Sequence, residues 1–329
     1  VTQTAAIFGP AALEVTAWER GFFRDADPWG FILFARNIDT PDQLRRLTGD
    51  LRDVLGRAAP ILIDQEGGRV QRMRSPLWRD YLPALDQMAR ASDPLRAQWL
   101  RYRLIARDLL SVGIDVNCAP LADVAEDATH PFLQNRLYGW DVPTVVAAAR
   151  ACADGLLAGG VLPVLKHIPG HGRAQADSHL ALPRVSASVD DLTAHDFAPF
   201  AALRDLPLGM TAHIVFDALD PDRPATTSPV MMQVIRDQIG FDGLLMTDDL
   251  SMQALAGTVT DRSLAAVGAG CDLILHCNGD AQEMADVAKA AGALSPQAII
   301  RADRALALRK PPEKIDIAAL EAEFEALMA

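Results

Sequence analysis

Apolar residues along the chain gather into short runs that end on a polar group or a turn residue. Eight such runs occur, at 5–9, 31–34, 61–64, 114–117, 162–167, 209–213, 244–248 and 273–277. Most are too short for helices and are bounded by Gly, Pro or Asp, which is the pattern of strands buried on both faces of a parallel sheet. Helical stretches lie between them, with recognisable starts and stops. Thr40-Pro41 opens a segment to Leu55, with Thr as cap and Pro at the first helical position. Asp93-Pro94 repeats the signal and leads to Gly113, Val142-Pro143 leads to Gly159-Gly160, and Ser228-Pro229 leads to Gly240. Further helices are predicted from Thr260-Asp261 to Gly270, from Asp280 to Ala291 and over 296–308.

Eight strands alternating with helices predict an α/β fold of the (β/α)8 TIM-barrel type, for which about 250 residues is typical. A doubly wound sheet would want a glycine fingerprint after its first strand. The nearest candidate, Gly170-His171-Gly172-Arg173-Ala174-Gln175, departs at its last position, and no phosphate-binding Walker sequence occurs. No composition break or long linker divides the chain. Residues 1–329 are therefore expected to form a single barrel domain, closed by helices from about 280 onward.

Composition narrows the function classes. Against 31 Lys and Arg stand 43 Asp and Glu, for a formal charge of −12 in 329 residues. That balance argues against nucleic acid or an anionic membrane as partner, since both call for clustered cations. No apolar run approaches ~18 residues, so no membrane-spanning helix is expected. Cys118, Cys152, Cys271 and Cys277 form no CxxC pair and no zinc spacing, so the protein reads as one of a reducing compartment. The first residues carry no basic n-region of a signal peptide, and a cytoplasmic location is the expectation.

In a barrel, chemistry gathers at the C-terminal ends of the strands. Those ends here carry Asp64, Asn117, Lys166, His167, His213 and Asp248. The densest stretch is 166–179, KHIPGHGRAQADSH, which holds three of the seven histidines and so raises a zinc reading. His167 and His171 are four apart, but Pro169-Gly170 between them works against the helix that would put both on one face. No metal and no cofactor is predicted. Asp177 and His179, two apart, suit a carboxylate that orients an imidazole and raises its basicity, giving a proton-transfer group near neutral pH. A merely solvated loop would carry the same pair.

Two further strand ends matter. Thr247-Asp248-Asp249 follows the seventh strand, and of its two carboxylates Asp248 is the one expected to face the pocket, with Asp249 left as a cap or a cation contact. Asp64-Gln65-Glu66-Gly67-Gly68-Arg69-Val70-Gln71-Arg72 follows the third, and its paired glycines permit a tight loop that brings Asp64 and an arginine over the barrel mouth. Carboxylates that accept and Arg, Lys and His that donate suit a polyhydroxylated ligand, a small-molecule saccharide.

Four segments, ILIDQEGGRVQR at 61–72, IDVNCAPLADV at 114–124, LKHIPGHGRAQADSH at 165–179 and LLMTDDLSM at 244–252, resemble those of family 3 glycoside hydrolases, in particular the bacterial β-N-acetylhexosaminidases. The resemblance implies a retaining exo-β-N-acetylglucosaminidase that acts through a covalent glycosyl-enzyme. On this pattern Asp248 matches the nucleophile, His179 the acid/base and Asp177 its partner. Asp64, Arg72, Arg136, Lys166 and His167 match the residues that hold the sugar. Arg136 sits in Gln134-Asn135-Arg136-Leu137-Tyr138-Gly139, where the family more often has Arg-Ser-Phe-Gly. The compact branch of the family implies a muropeptide substrate, N-acetylglucosamine linked to 1,6-anhydro-N-acetylmuramyl peptides, in cytoplasmic peptidoglycan recycling. His213 lines the pocket or is a buried structural group, and His171 shapes its loop. Phosphorolysis, a barrel aldolase with Lys166 as Schiff-base lysine, and a non-catalytic sugar-binding protein remain as alternatives.

Overall fold

The computed structural model describes residues 3–174 and 182–329. All eight predicted runs are strands: β1 (Thr4–Phe8), β2 (Pro28–Leu33), β3 (Ile61–Ile63), β4 (Val116–Asn117), β5 (Leu162–Ile168), β6 (Leu208–Thr211), β7 (Leu244–Met246) and β8 (Ile274–His276). They pair in parallel, each beside the next, and β8 returns to β1 through registers such as Phe8 opposite His276. A bridge between Met246 and Leu273, with the Thr247 N–H donating to the Leu273 carbonyl at 3.0 Å, joins β7 to β8 and closes the ring. A closed parallel sheet wrapped by helices buries both faces of each strand, so β5 is buried at all seven positions.

The fourth strand is shorter than its apolar run. The Asp115 carboxylate accepts the Ile61 N–H at 2.8 Å and pairs with Arg309 at 2.7 Å, so a side chain takes over the first rung of that ladder.

The predicted caps at Thr40, Asp93 and Asp280 accept backbone N–H groups at the starts of Pro41–Leu55, Pro94–Ser111 and Ala281–Ala291. Asp141 rather than Val142 caps Val142–Ala158, and Thr258 rather than Thr260 caps Val259–Ala269, because in each case the residue three beyond the true cap presents its N–H to that side chain. A helix not expected from the apolar pattern runs over Ala17–Ala26, where Thr16 and Glu19 form a complete capping box. The irregular helical stretch 189–202 and the terminal helix Ile317–Met328 are likewise additional to the expected elements. That last helix lies against Pro94–Ser111, where Arg96 forks onto Glu323 at 2.7 and 2.8 Å. No helix among the described residues is long and apolar enough to cross a membrane.

Candidate active site

The residues after β3 turn at once into a hairpin of Gln65–Gly67 against Val70–Gln71. Gly67 and Gly68 supply its positive φ angles, 104° and 58°. Gln65 is pinned from below by Asn117, whose side-chain amide serves both its N–H and its carbonyl at 3.0 Å each. Asn117 therefore holds the hairpin instead of facing the pocket. The Gln65 side chain in turn accepts the N–H of Arg72 at 2.9 Å, which brings the arginine back over Asp64.

From this hairpin grows a chain of alternating charges. Arg72 donates to Asp64 at 3.1 Å, Lys166 lies 2.9 Å from Asp64 and 2.7 Å from Glu66, and Arg136 forks onto Glu66 at 3.0 and 2.8 Å. The Lys166 side chain is 2 % exposed and that of Glu66 3 %, so these ions lack full hydration and depend on one another. Burial works to raise both carboxyl pKa values, yet the neighbouring cations prevail. Asp64 is held below the usual carboxylate range by Lys166 and Arg72, and Glu66 is lowered to about 2 by Arg136 and Lys166. Lys166 moves the other way. Burial would lower its pKa, but Asp64 and Glu66 raise it above the ordinary lysine value, so it stays an ammonium.

At the end of β5, Lys166 and His167 both line the pocket. His167 is held by Asp123, a buried residue of the loop after β4. Its Nδ1 lies 2.8 Å from Asp123 Oδ2, and the backbone N–H of His171 donates to Oδ1 at 2.7 Å. Burial works to raise the Asp123 pKa, and the His167 ring and its hydrogen bond bring it below the usual range. An ionised carboxylate can only accept, so His167 Nδ1 donates to Asp123, and that bond fixes the ring where it lines the cavity. His171 is buried, its pKa lowered to about 4 by desolvation and by His167, and its Nδ1 has no hydrogen-bond partner among the described residues. It packs beside His167 with ring centroids 5.6 Å apart. Gly172 then passes so close to the next loop that a Cβ there would sit 1.9 Å from the Val124 carbonyl oxygen. Asp177 and His179, the expected proton-transfer pair, lie outside the described residues.

Across the pocket, Asp248 lies two residues beyond β7. It accepts the Asp249 N–H at 2.8 Å, and against the upward pull of burial its pKa is lowered by His213, His167 and that N–H. Asp249 serves the backbone, accepting from the N–H of Ser251 at 2.9 Å and that of Cys277 at 3.2 Å. His213 is fully buried and structural. Its Nε2 donates to the Asp249 carbonyl at 3.0 Å, which leaves Nδ1 to accept from the Thr226 hydroxyl at 2.7 Å. Desolvation lowers its pKa and keeps it neutral.

These groups share one cavity of about 420 Å³ at the C-terminal end of the barrel, lined by Asp64, Arg72, Arg136, Lys166, His167 and Asp248. Of the strand-end candidates, Asn117 and His213 do not line this space. Phe34, Met210, Met252 and Leu275 supply apolar wall between them. Hydroxyls can be met on the charged side by donors and acceptors alike, and a ring face can lie against the apolar side. Among the described residues no group of three or more His, Cys, Asp or Glu could hold a metal ion. Two members of the arrangement were not singled out from sequence. Glu66 lies behind the pocket wall, and Asp123 orients His167 from 44 positions away. A carboxylate inside each matching segment was the available signal.

The profile of the glycosyl hydrolase family 3 N-terminal domain matches residues 24–307. A beta-hexosaminidase of Methylococcus capsulatus is 38% identical over 270 residues, covering 80% of this chain and 80% of that protein. Among solved structures, native NagZ from Neisseria gonorrhoeae superposes with a TM-score of 0.85 at 29% identity, over 100% of this chain and 96% of that one. A family 3 beta-N-acetylglucosaminidase from Paenibacillus sp. FPU-7 superposes with a TM-score of 0.84 at 30% identity, over 96% of this chain but 62% of that longer protein.

Proposed function

The chain belongs to glycosyl hydrolase family 3 and is a glycoside hydrolase of the β-N-acetylhexosaminidase type, and we propose that it removes terminal β-linked N-acetylglucosamine with retention of configuration. The observation that carries this reading is the placement of Asp248, ionised at neutral pH, on the same cavity as Asp64, Arg72, Arg136, Lys166 and His167. In this reading those five residues bind the sugar and Asp248 attacks its anomeric carbon. His179, oriented by Asp177, gives a proton to the departing oxygen, and the bond between that oxygen and the anomeric carbon breaks as the ester to Asp248 forms. Water, losing a proton to His179, then displaces Asp248. A histidine acid/base suits a site in which Asp64 and Glu66 are committed to cations and Asp249 to backbone N–H groups. The barrel and its closing helices act as one catalytic domain in this proposal, working on muropeptides in the cytoplasm as part of peptidoglycan recycling.

Lys166 argues against the aldolase alternative. A Schiff-base lysine needs a neutral amine, and Lys166 is held as an ammonium between two carboxylates. The test is product analysis. Incubation with N-acetylglucosaminyl-1,6-anhydro-N-acetylmuramyl peptide, with and without phosphate, should release free N-acetylglucosamine in both cases. N-acetylglucosamine 1-phosphate appearing with phosphate would make the enzyme a phosphorylase, and binding without turnover would make it a sugar-binding relative.

A further inference from the structure

The charge chain has a member that the proposed mechanism does not use. Glu66 stands behind the pocket wall with its side chain 3 % exposed, yet its carboxylate accepts two bonds from Arg136 and pairs with the Lys166 ammonium at 2.7 Å. Its main chain is held just as firmly. The Glu66 carbonyl accepts from Arg101 at 3.1 Å and from the Tyr102 hydroxyl at 3.3 Å, and Arg101 is itself fixed by Gln87 at 2.8 Å. A Cβ on the neighbouring Gly67 would meet Arg101 Nη2 at 1.9 Å, so the guanidinium fills the space a side chain there would need. Glu66 is therefore anchored at both ends, between a buried arginine on one side and two pocket-lining cations on the other.

We infer that Glu66 is the positioning residue for substrate binding, setting where the Arg136 guanidinium and the Lys166 ammonium point into the cavity. The inference rests on the reading of Arg136 and Lys166 as sugar contacts. With Glu66 ionised, the group Arg72, Asp64, Lys166, Glu66 and Arg136 carries three positive and two negative charges in alternating order. Without its charge, Lys166 and Arg136 lose the carboxylate between them and repel each other across a poorly hydrated gap. A glutamine in its place offers one acceptor oxygen and sets an NH2 donor against the N–H groups of the other cation. Both cations then leave the geometry that meets the sugar. Because they are argued to hold the ring in ground state and transition state alike, the loss falls on binding and not on the chemical step.

The test compares wild type, Glu66→Gln and Glu66→Asp with an aryl β-N-acetylglucosaminide as substrate, alongside calorimetric binding of N-acetylglucosamine. Glu66→Gln should raise KM about tenfold or more, with kcat within about threefold of wild type, and weaken N-acetylglucosamine binding in parallel. Glu66→Asp keeps the charge but cannot reach both cations, and its KM should fall between the two. A merely structural role would lower the yield of folded enzyme and leave KM where it was. A folded Glu66→Gln with unchanged KM, or with kcat lost at constant KM, overturns the inference. Should Glu66→Gln not fold, Glu66→Asp carries the same criterion, and an unchanged KM there overturns it equally. Wild-type enzyme that turns over no β-N-acetylglucosaminide is a separate failure, that of the functional reading, and this inference falls with it.

Discussion

Replacing Asp123 by Asn changes one buried charge and almost no volume. In the wild type both carboxylate oxygens accept, Oδ2 from His167 Nδ1 at 2.8 Å and Oδ1 from the His171 N–H at 2.7 Å, with the His167 N–H within 3.4 Å. An asparagine can offer one oxygen to one of these and must turn its NH2 toward the other. The less costly arrangement keeps the oxygen on the His171 backbone and presents the NH2 to the His167 ring, which then moves its proton to Nε2. Losing charge assistance on two bonds, partly offset by the new amide-to-ring bond, should cost about 2–3 kcal/mol. In a chain of 329 residues that is a fall of roughly 3–4 °C in melting midpoint at pH 7. The His167 ring would lose the carboxylate partner that fixes its orientation at the cavity, which should cost about tenfold in kcat/KM.

The pH dependence of this gap carries a definite sign. Asp123 has a pKa lowered below its ordinary 3.8, so its stabilisation is present above that value and disappears as pH falls through the lower folded-state value. Asn has no such dependence. The melting gap between wild type and Asp123→Asn should accordingly narrow on acidification below about pH 3.8. Thermal melts at pH 7 and pH 3, with nitrogen NMR of the histidine rings to read the tautomer, make the assay. A variant that melts with wild type at pH 7 and keeps its KM, or a gap that widens in acid, would refute the reasoning.

Other predictions bear on the pocket and its loops. Asp248→Asn should lose about 10³-fold or more in kcat on an aryl β-N-acetylglucosaminide, and the acid limb that Asp248 gives the wild-type pH profile should lie below the ordinary carboxylate pKa of 3.8. A limb near neutrality would assign it to another group. His179→Ala should lose far less on an activated aryl leaving group than on a disaccharide, because the aryl group departs without a proton, and equal losses would remove His179 as the acid. Gly172→Ala should lower the melting midpoint, since its Cβ would enter the Val124 carbonyl at 1.9 Å and backbone must yield. An unchanged midpoint would show that the 170–174 turn is free to shift.

The barrel was legible because its strands are buried on both faces, so each reads as an unbroken apolar run instead of an alternation. Helix starts were legible where a cap and a proline coincide, as at Thr40-Pro41 and Asp93-Pro94. The helix at Ala17–Ala26 was missed although its capping box is complete, because its apolar face is short and carries the buried Glu19 beside Phe23. In the site, Asp64, Lys166, His167 and Asp248 could be found from strand ends alone, since a barrel aims all of them at one mouth. Asn117 and His213 occupy equivalent ends but turn to backbone partners, Gln65 and Asp249, which no local pattern announces. Glu66 and Asp123 were hidden for a related reason. Their partners Arg136 and His167 are 70 and 44 positions away, and only the closed barrel brings them together.

The central claim is that Asp248 forms a covalent bond to an N-acetylglucosamine residue during turnover. Brief exposure of the enzyme to a 5-fluoro activated N-acetylglucosaminide, followed by intact-mass measurement and peptide mapping, tests it most directly. One added sugar is expected on the peptide that contains Asp248, and none in Asp248→Asn. Good turnover of an ordinary aryl N-acetylglucosaminide with no adduct, or an adduct on a different residue, would contradict it.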